Sequence, residues 1–337
     1  MAQSVQLPLK LRLKAWWEGY DPEELARRLG TRTPEGRPRP APKPAPKPAP
    51  APHDASPVNP DDPELPFDPW DSNRVEIAQY IWGEGYCGPG GPEHIVSMSK
   101  LLALSPEQSL LEIGSHLGGP ARTLADSFGV WVTGYEQSAR LVELANEKSM
   151  MAGLAKKAKI KAYDPETIEH FDRKFDRVFA KEAFFTIAKK DRLFSLLEET
   201  LKPSGLFLLT DFVLGSDAAR STDEYKEWRD GEAERRRPFM TTAPELVDML
   251  KKARFIVRVN EDVSDHYIEL VNHAWAGADR VAAKIAKQED GEELLKTLVK
   301  EAEYWNRRVR LLQSGALRVW RILASKKADK PSMMSDW

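Results

Sequence analysis

Residues 110–119 read LLEIGSHLGG, and a second apolar run, WVTGYE from Trp131, ends at Glu136. An apolar strand that breaks into a glycine turn and then a helix presents free backbone N–H groups at close range. A carboxylate one strand away can accept both hydroxyls of a ribose. The two stretches together outline a nucleoside site. The segments that follow keep alternating: helix ARLVELANEKSMMAG, strand KIKAYD, strand FDRVFA, helix DRLFSLLEETL, a turn at Lys202-Pro203-Ser204-Gly205, and strand LFLLTDFV. This order predicts an α/β, Rossmann-like fold, a mainly parallel sheet of seven strands with helices on both faces and ligands at the carboxyl ends of the strands.

Spacing narrows the ligand. A dinucleotide loop needs G-x-G-x-x-G so that the backbone can approach a pyrophosphate. Here the loop is Gly114-Ser115-His116-Leu117-Gly118-Gly119, with Ser115 and His116 where the second glycine would fall. A phosphate-free nucleoside with a cationic amino-acid tail fits better, and S-adenosyl-L-methionine answers that description. The expected cofactor set is Glu112, Gly114, Ser115 and Gly118 in the first loop, Glu136 and Gln137 for the ribose, Asp164 for the adenine amine, and Lys181 after the fourth strand. A tight strand-to-helix connection would carry the same glycines without any ligand; the acids at 112, 136 and 164 argue for the site.

Composition bounds the alternatives. The chain has 337 residues, a net charge of −2 and one cysteine. The charge gives no support to a nucleic-acid partner. A single Cys87 excludes an internal disulfide framework, fits a reducing, cytoplasmic setting, and reads as a small buried residue. No apolar run approaches the roughly 20 residues that span a bilayer. His266 and His273 lack a cysteine or acid at ligand spacing, so no metal site is expected, and His116 reads as a local packing choice.

Four regions are expected. Residues 1–33 hold alternating leucines and basic residues followed by Trp16-Trp17. They suit either a peripheral contact with the inner face of a membrane or packing on the catalytic domain or on a second subunit of a homo-oligomer. Residues 34–69 are so rich in proline that they read as an extended spacer. Residues 70–327 hold the alternating core, with a polar helical insertion from Ser221 to Arg237 and a long helical excursion before the last strand, expected to cap the site. Residues 328–337 form a tail.

From about Ile77 to Lys327 the chain resembles the class I S-adenosylmethionine-dependent methyltransferases, and among them is most similar to the phosphoethanolamine N-methyltransferases. That family's YxFGENYxSxGG stretch falls on Tyr80 to Gly91, its LDIGxGLGG on Leu111 to Gly119, its LKPxGxLLITDY on Leu201 to Phe212, its EDxSDxF on Glu261 to Tyr267, and its basic tail on Trp305 to Lys326. The resemblance implies that Tyr86 is the tyrosine over the cofactor and that Glu182 replaces an aspartate near the acceptor amine. It also implies Thr186, Arg236, Arg308 and Arg310 as acceptor contacts, while Tyr80 and Phe185 are expected beside the acceptor for their aromatic rings. Departures are plain: the family's histidine has become Thr186, one tyrosine has become Ala78, and a phosphate-contacting tyrosine falls on Pro238.

The function expected is methyl transfer to a small or lipid-linked acceptor, with an amine bearing a nearby anionic group as the leading case. Carbon methylation of an unsaturated acyl chain is the first competitor, favoured by the apolar AFFTI segment (residues 183–187). A cofactor fold kept as a scaffold without turnover is the second. Tyr80, Trp82, Tyr86, Phe184 and Phe185 either surround a cation or pack in the core. The Arg235-Arg236-Arg237 run is either a solvated face or an anion grip.

Overall fold

The computed structural model describes residues 68–327; the segment 1–33 expected to contact a membrane, the catalytic domain or a second subunit, nearly all of the spacer and the tail lie outside the described residues. Helix α1 (Ser72–Trp82) is capped by Asp71, whose side chain accepts the N–H of Arg74. Helix α2 (Gly91–Ser99) follows a glycine turn. The alternating core then runs β1 (Ser109–Ile113), α3 (Gly119–Phe128), β2 (Trp131–Glu136), α4 (Ala139–Met151), β3 (Ala158–Ala162), β4 (Phe175–Lys181), α5 (Lys190–Thr200) and β5 (Leu201–Leu214). After it come α6 (Asp223–Ala233), α7 (Ala243–Lys252), β6 (Phe255–Asp262), α8 (Ser264–Trp275), α9 (Ala278–Ile285), α10 (Gly291–Ser314) and β7 (Leu317–Lys326).

The seven strands lie in the order β3-β2-β1-β4-β5-β7-β6. β7 runs antiparallel to both β5 and β6, and the remaining pairs are parallel. Because β1 is covered on both faces, all five of its residues are buried, Glu112 included. Strand order reverses between β1 and β4, and a crevice opens at their carboxyl ends, where an open α/β sheet binds ligands.

Two departures from expectation have local causes. Phe175 pairs with Leu201 but Arg177 pairs with Leu206, so the Lys202–Gly205 turn is extruded as a bulge within β5, with Ser204 at φ 62°. The polar insertion stops being helical at Ala233. The three arginines therefore leave the helix axis rather than forming one solvated stripe.

One face of the sheet buries Phe194 of α5, Leu246 and Leu250 of α7, and Phe207 and Phe255 of the strands. The cap is tied down by tryptophans. Trp82 of α1 meets Trp305 of α10 at 4.6 Å and Trp275 of α8 at 6.2 Å, both edge to face. Such pairs add about 0.5–1.5 kcal/mol each beyond the area they bury.

Candidate active site

The cavity at the strand ends has two walls of different construction. The first is backbone. Gly114, His116 and Gly118 all have positive φ, at 75°, 47° and 71°, and the N–H groups of Gly114 and Ser115 both reach the Tyr135 carbonyl, at 2.9 and 3.2 Å. Glu136, 2% exposed, accepts N–H bonds from His116 at 2.9 Å, Gln137 at 2.8 Å and Ser138 at 3.0 Å. The loop is pinned from the other side by Gly119, whose N–H donates to the Gly85 carbonyl at 3.0 Å. A Cβ at Gly119 would sit 2.4 Å from that oxygen, so only glycine permits the approach that brings Tyr86 over the loop. Glu112 faces this cavity with one buried carboxylate oxygen that no side chain or backbone group answers. Burial pushes its carboxyl up to about 7, against the nearby Ser115 hydroxyl and the attraction of Arg122.

The second wall is side chain. Tyr86 is buried, its hydroxyl 2.5 Å from Thr123 Oγ1, and burial raises it to about 12, so it stays a phenol at neutral pH. Glu182 follows β4 with φ 55°, an uncommon conformation for a glutamate. Its N–H donates to the Thr210 carbonyl at 2.7 Å, and its carboxylate pairs with the neighbouring Lys181. From the cap, Arg308 forms a bidentate pair with Glu232 at 2.8 and 3.0 Å. The Arg308 guanidinium lies 4.5–5.3 Å from the rings of Tyr304, Phe212, Trp305 and Phe185. Glu301 bridges Arg74 at 3.0 Å and Arg235 at 2.8 Å. Arg235 stacks on Tyr304 at 3.8 Å and keeps one buried nitrogen unpartnered.

The expected site residues divide accordingly. Tyr86, Glu112, Gly114, Glu136, Gln137, Lys181, Glu182, Phe185, Thr186, Arg236 and Arg308 all line this one cavity. Ser115 does not: it is fully buried against Gly134, where a Cβ would come within 2.1 Å of its hydroxyl. Gly118 serves the turn, packed on Arg122, Ala145 and Ile160. Asp164 is also outside; its carboxylate accepts from Glu166 N–H and Thr167 Oγ1, both at 2.9 Å, closing a local turn. Tyr80 sits on the other side of α1, under Lys284 at 4.7 Å and Gln288 at 3.2 Å. Arg310 is exposed on α10, away from Arg308. Phe184 is core, stacked on Phe194 at 4.7 Å.

Sequence reasoning did not name Trp70, Arg74, Glu232, Glu301 or Tyr304 as contacts, nor assign His116 and Cys87 to the site, though all line it; Arg235, weighed there as part of an anion grip, lines it too. Trp70 meets the His116 ring edge at 6.1 Å and carries Arg74 over its face at 4.0 Å. Burial pushes the Cys87 thiol up to about 12, which leaves it unreactive.

The fold and the site place the chain among class I S-adenosylmethionine-dependent methyltransferases. It belongs to the mycolic acid cyclopropane synthetase family, which it matches over residues 93–318. A phosphoethanolamine N-methyltransferase of Plasmodium falciparum is 27% identical over 216 residues, 64% of this chain and 78% of that protein. Among solved structures, Haemonchus contortus phosphoethanolamine N-methyltransferase 2 in complex with S-adenosyl-L-methionine has a TM-score of 0.66 at 22% identity. That likeness covers 76% of this chain and 57% of the nematode one, so the chain spans little more than half its length. A cyclopropane synthase of Mycobacterium tuberculosis has a TM-score of 0.62 at 17% identity, over 76% of this chain and 94% of that one. The residues present fit the cofactor of this class: a buried acid ends β2 at Glu136, the loop is held open by positive-φ residues, and Glu112 offers an unanswered oxygen to a cationic tail.

Proposed function

We propose that this methyltransferase modifies the nitrogen of a small amine that carries an anionic group nearby. One observation carries the reading: the cavity is lined by five acidic side chains (Glu112, Glu136, Glu182, Glu232, Glu301) and five basic ones (Arg74, Lys181, Arg235, Arg236, Arg308). Charges of both signs in equal number suit a compact zwitterion. A long acyl chain would leave the unpartnered Arg235 nitrogen and the Arg236 guanidinium beside it facing hydrocarbon with no anion to answer them, which is costly.

When bound, S-adenosylmethionine supplies an electrophilic methyl group. The protein has to hold the acceptor nitrogen in line with it and exclude water, and orientation of this kind supplies several kcal/mol. Glu182, beside Lys181 at the end of β4, takes the proton that the nitrogen sheds. Tyr86, held as a phenol, orients the nitrogen through its oxygen without acting as the base. Arg236 makes no ion pair among the described residues and, with the spare nitrogen of Arg235, receives the anionic group. Trp82, Trp305 and Phe185 close the remaining walls.

Carbon methylation of an unsaturated acyl chain is the second reading, supported by the apolar wall of Ala183, Phe185 and Trp305 and by the family to which the chain belongs. Methyl-labelled cofactor offered with phosphoethanolamine, with glycine and sarcosine, with phosphatidylethanolamine vesicles and with unsaturated phosphatidylglycerol vesicles separates the two. Label on the nitrogen of a soluble amine is expected. Label only in acyl chains overturns the amine reading.

A further inference from the structure

Behind the Lys181–Glu182 pair lies a second, smaller cavity, and these two residues line both. Its other walls include His94 of α2, Thr210 of β5, His266 and Tyr267 of α8, and Arg321 of β7. The His94 ring occupies the space where a Cβ on Gly90 would fall, 2.5 Å from its Cδ2, so the glycine pair before α2 makes room for an imidazole. His94 Nδ1 stands 3.4 Å from His266 Nε2, and His266 Nδ1 stands 3.7 Å from Glu269 Oε2. Glu269 is on the surface, 78% exposed. Glu182 and His94 thus share the smaller cavity, and His266 and Glu269 continue from His94 toward solvent.

We propose that His94 and His266 form the exit for the proton that leaves the acceptor nitrogen by way of Glu182. The inference rests on the amine reading above. In that reaction the nitrogen lone pair forms the N–C bond and the C–S bonding pair goes to sulfur, so an ammonium acceptor releases one proton for each methyl gained. The proton goes to the Glu182 carboxylate and then to His94 Nε2, while the Nδ1 proton of His94 moves to His266 Nε2. His266 gives its own Nδ1 proton to Glu269 or to water, and each ring resets by exchanging tautomer with solvent before the next cycle.

The surroundings of His94 suit a carrier that never holds charge. Lys181 and Glu182 face it from β4, His266 and Tyr267 from α8, and Arg321 from β7, where Arg321 is paired with Glu261 at 2.7 Å. Burial first, then the Lys181 and His266 charges, lower its pKa to about 4, with Glu182 opposing. A neutral imidazole accepts at one nitrogen as it donates from the other.

The test uses the full chain with H94Q, H94A and E182Q. H94Q should lower kcat at pH 7 roughly tenfold or more, leave the acceptor KM and the S-adenosylhomocysteine affinity within about twofold, and show a loss that shrinks as pH rises. Added imidazole should restore much of the H94A rate. Independent of turnover, the His94 imidazole resonance should titrate at still lower pH in E182Q, because the opposing carboxylate charge is gone. An H94Q enzyme with the wild-type rate and pH profile overturns the relay while leaving amine methylation standing. So does a loss that imidazole cannot rescue and that comes with weakened cofactor binding, since that marks a structural role. A wild-type protein that binds S-adenosylhomocysteine yet methylates no amine overturns the functional reading, and the relay with it.

Discussion

The two walls of the cavity are held in different ways. The cofactor wall is one continuous stretch of chain, 112–137, fixed by backbone bonds to Glu136 and Tyr135. The acceptor wall is assembled from α1, β4, α6 and α10, fixed by buried ion pairs between residues as far apart as Arg74 and Glu301. A backbone-built wall changes little when one side chain is exchanged. A wall built from buried ion pairs fails when one partner is lost, because the other is left charged and unanswered.

Breaking the second wall should therefore give the largest effect. Arg308→Ala is expected to cost about 3–5 kcal/mol of stability in denaturant unfolding, and the Glu232→Leu/Arg308→Met double variant to recover most of it. Recovery that fails would mean that the pair does more than neutralise itself. On the first wall, Glu136→Ala should weaken S-adenosylhomocysteine binding at least about a hundredfold by calorimetry, consistent with loss of charged hydrogen bonds. Unchanged affinity would remove the ribose assignment. The Glu112 carboxyl sharpens the comparison through pH. Free, it is protonated below about pH 7; a cationic tail favours the carboxylate, so binding expels a proton below that pH. Affinity for S-adenosylhomocysteine should rise about tenfold from pH 6 to 7.5 and then level off, with Glu112→Gln flat over the same range. Arg236→Ala should raise the acceptor KM roughly fivefold to tenfold with kcat nearly unchanged, the pattern of lost uniform binding. Smallest of all, Tyr80→Phe and Arg310→Ala should leave both constants within about twofold, since neither lines the cavity.

What was legible in the sequence follows the same division. The alternating strands, the glycine loop and Glu136 lie close together along the chain, and their spacing reports geometry directly. Tyr80 and Arg310 were misplaced for one shared reason. Residues two apart on a helix point about 200° from each other, so Ala78 and Trp82 face the cavity and Tyr80 cannot, while Arg308 faces it and Arg310 cannot. That rule was available from the sequence, where the family's tyrosine falls on Ala78 rather than on Tyr80. Asp164 stands at the right strand end, yet the Pro165 to Thr167 turn that follows engages its carboxylate. The Glu232–Arg308 and Arg74–Glu301–Arg235 pairs had no signal in spacing, because their partners lie far apart in the chain and meet only in the folded cap. A weaker signal did exist at the start of the domain. DPWDS, residues 68–72, holds an Asp that accepts the Trp70 N–H at 3.0 Å and a second Asp that caps α1.

The antiparallel β7 also sets an order on synthesis. Among the described residues β6 has no sheet neighbour other than β7, and α8, α9 and α10 all lie between the two in the chain. A nascent chain that has emerged only through β5 holds every strand of the cofactor wall. The acceptor wall waits for α6 and α10, and the edge of the sheet for residues 317–326. On the ribosome, then, the residues that face the methyl donor are all made before those that complete the acceptor side.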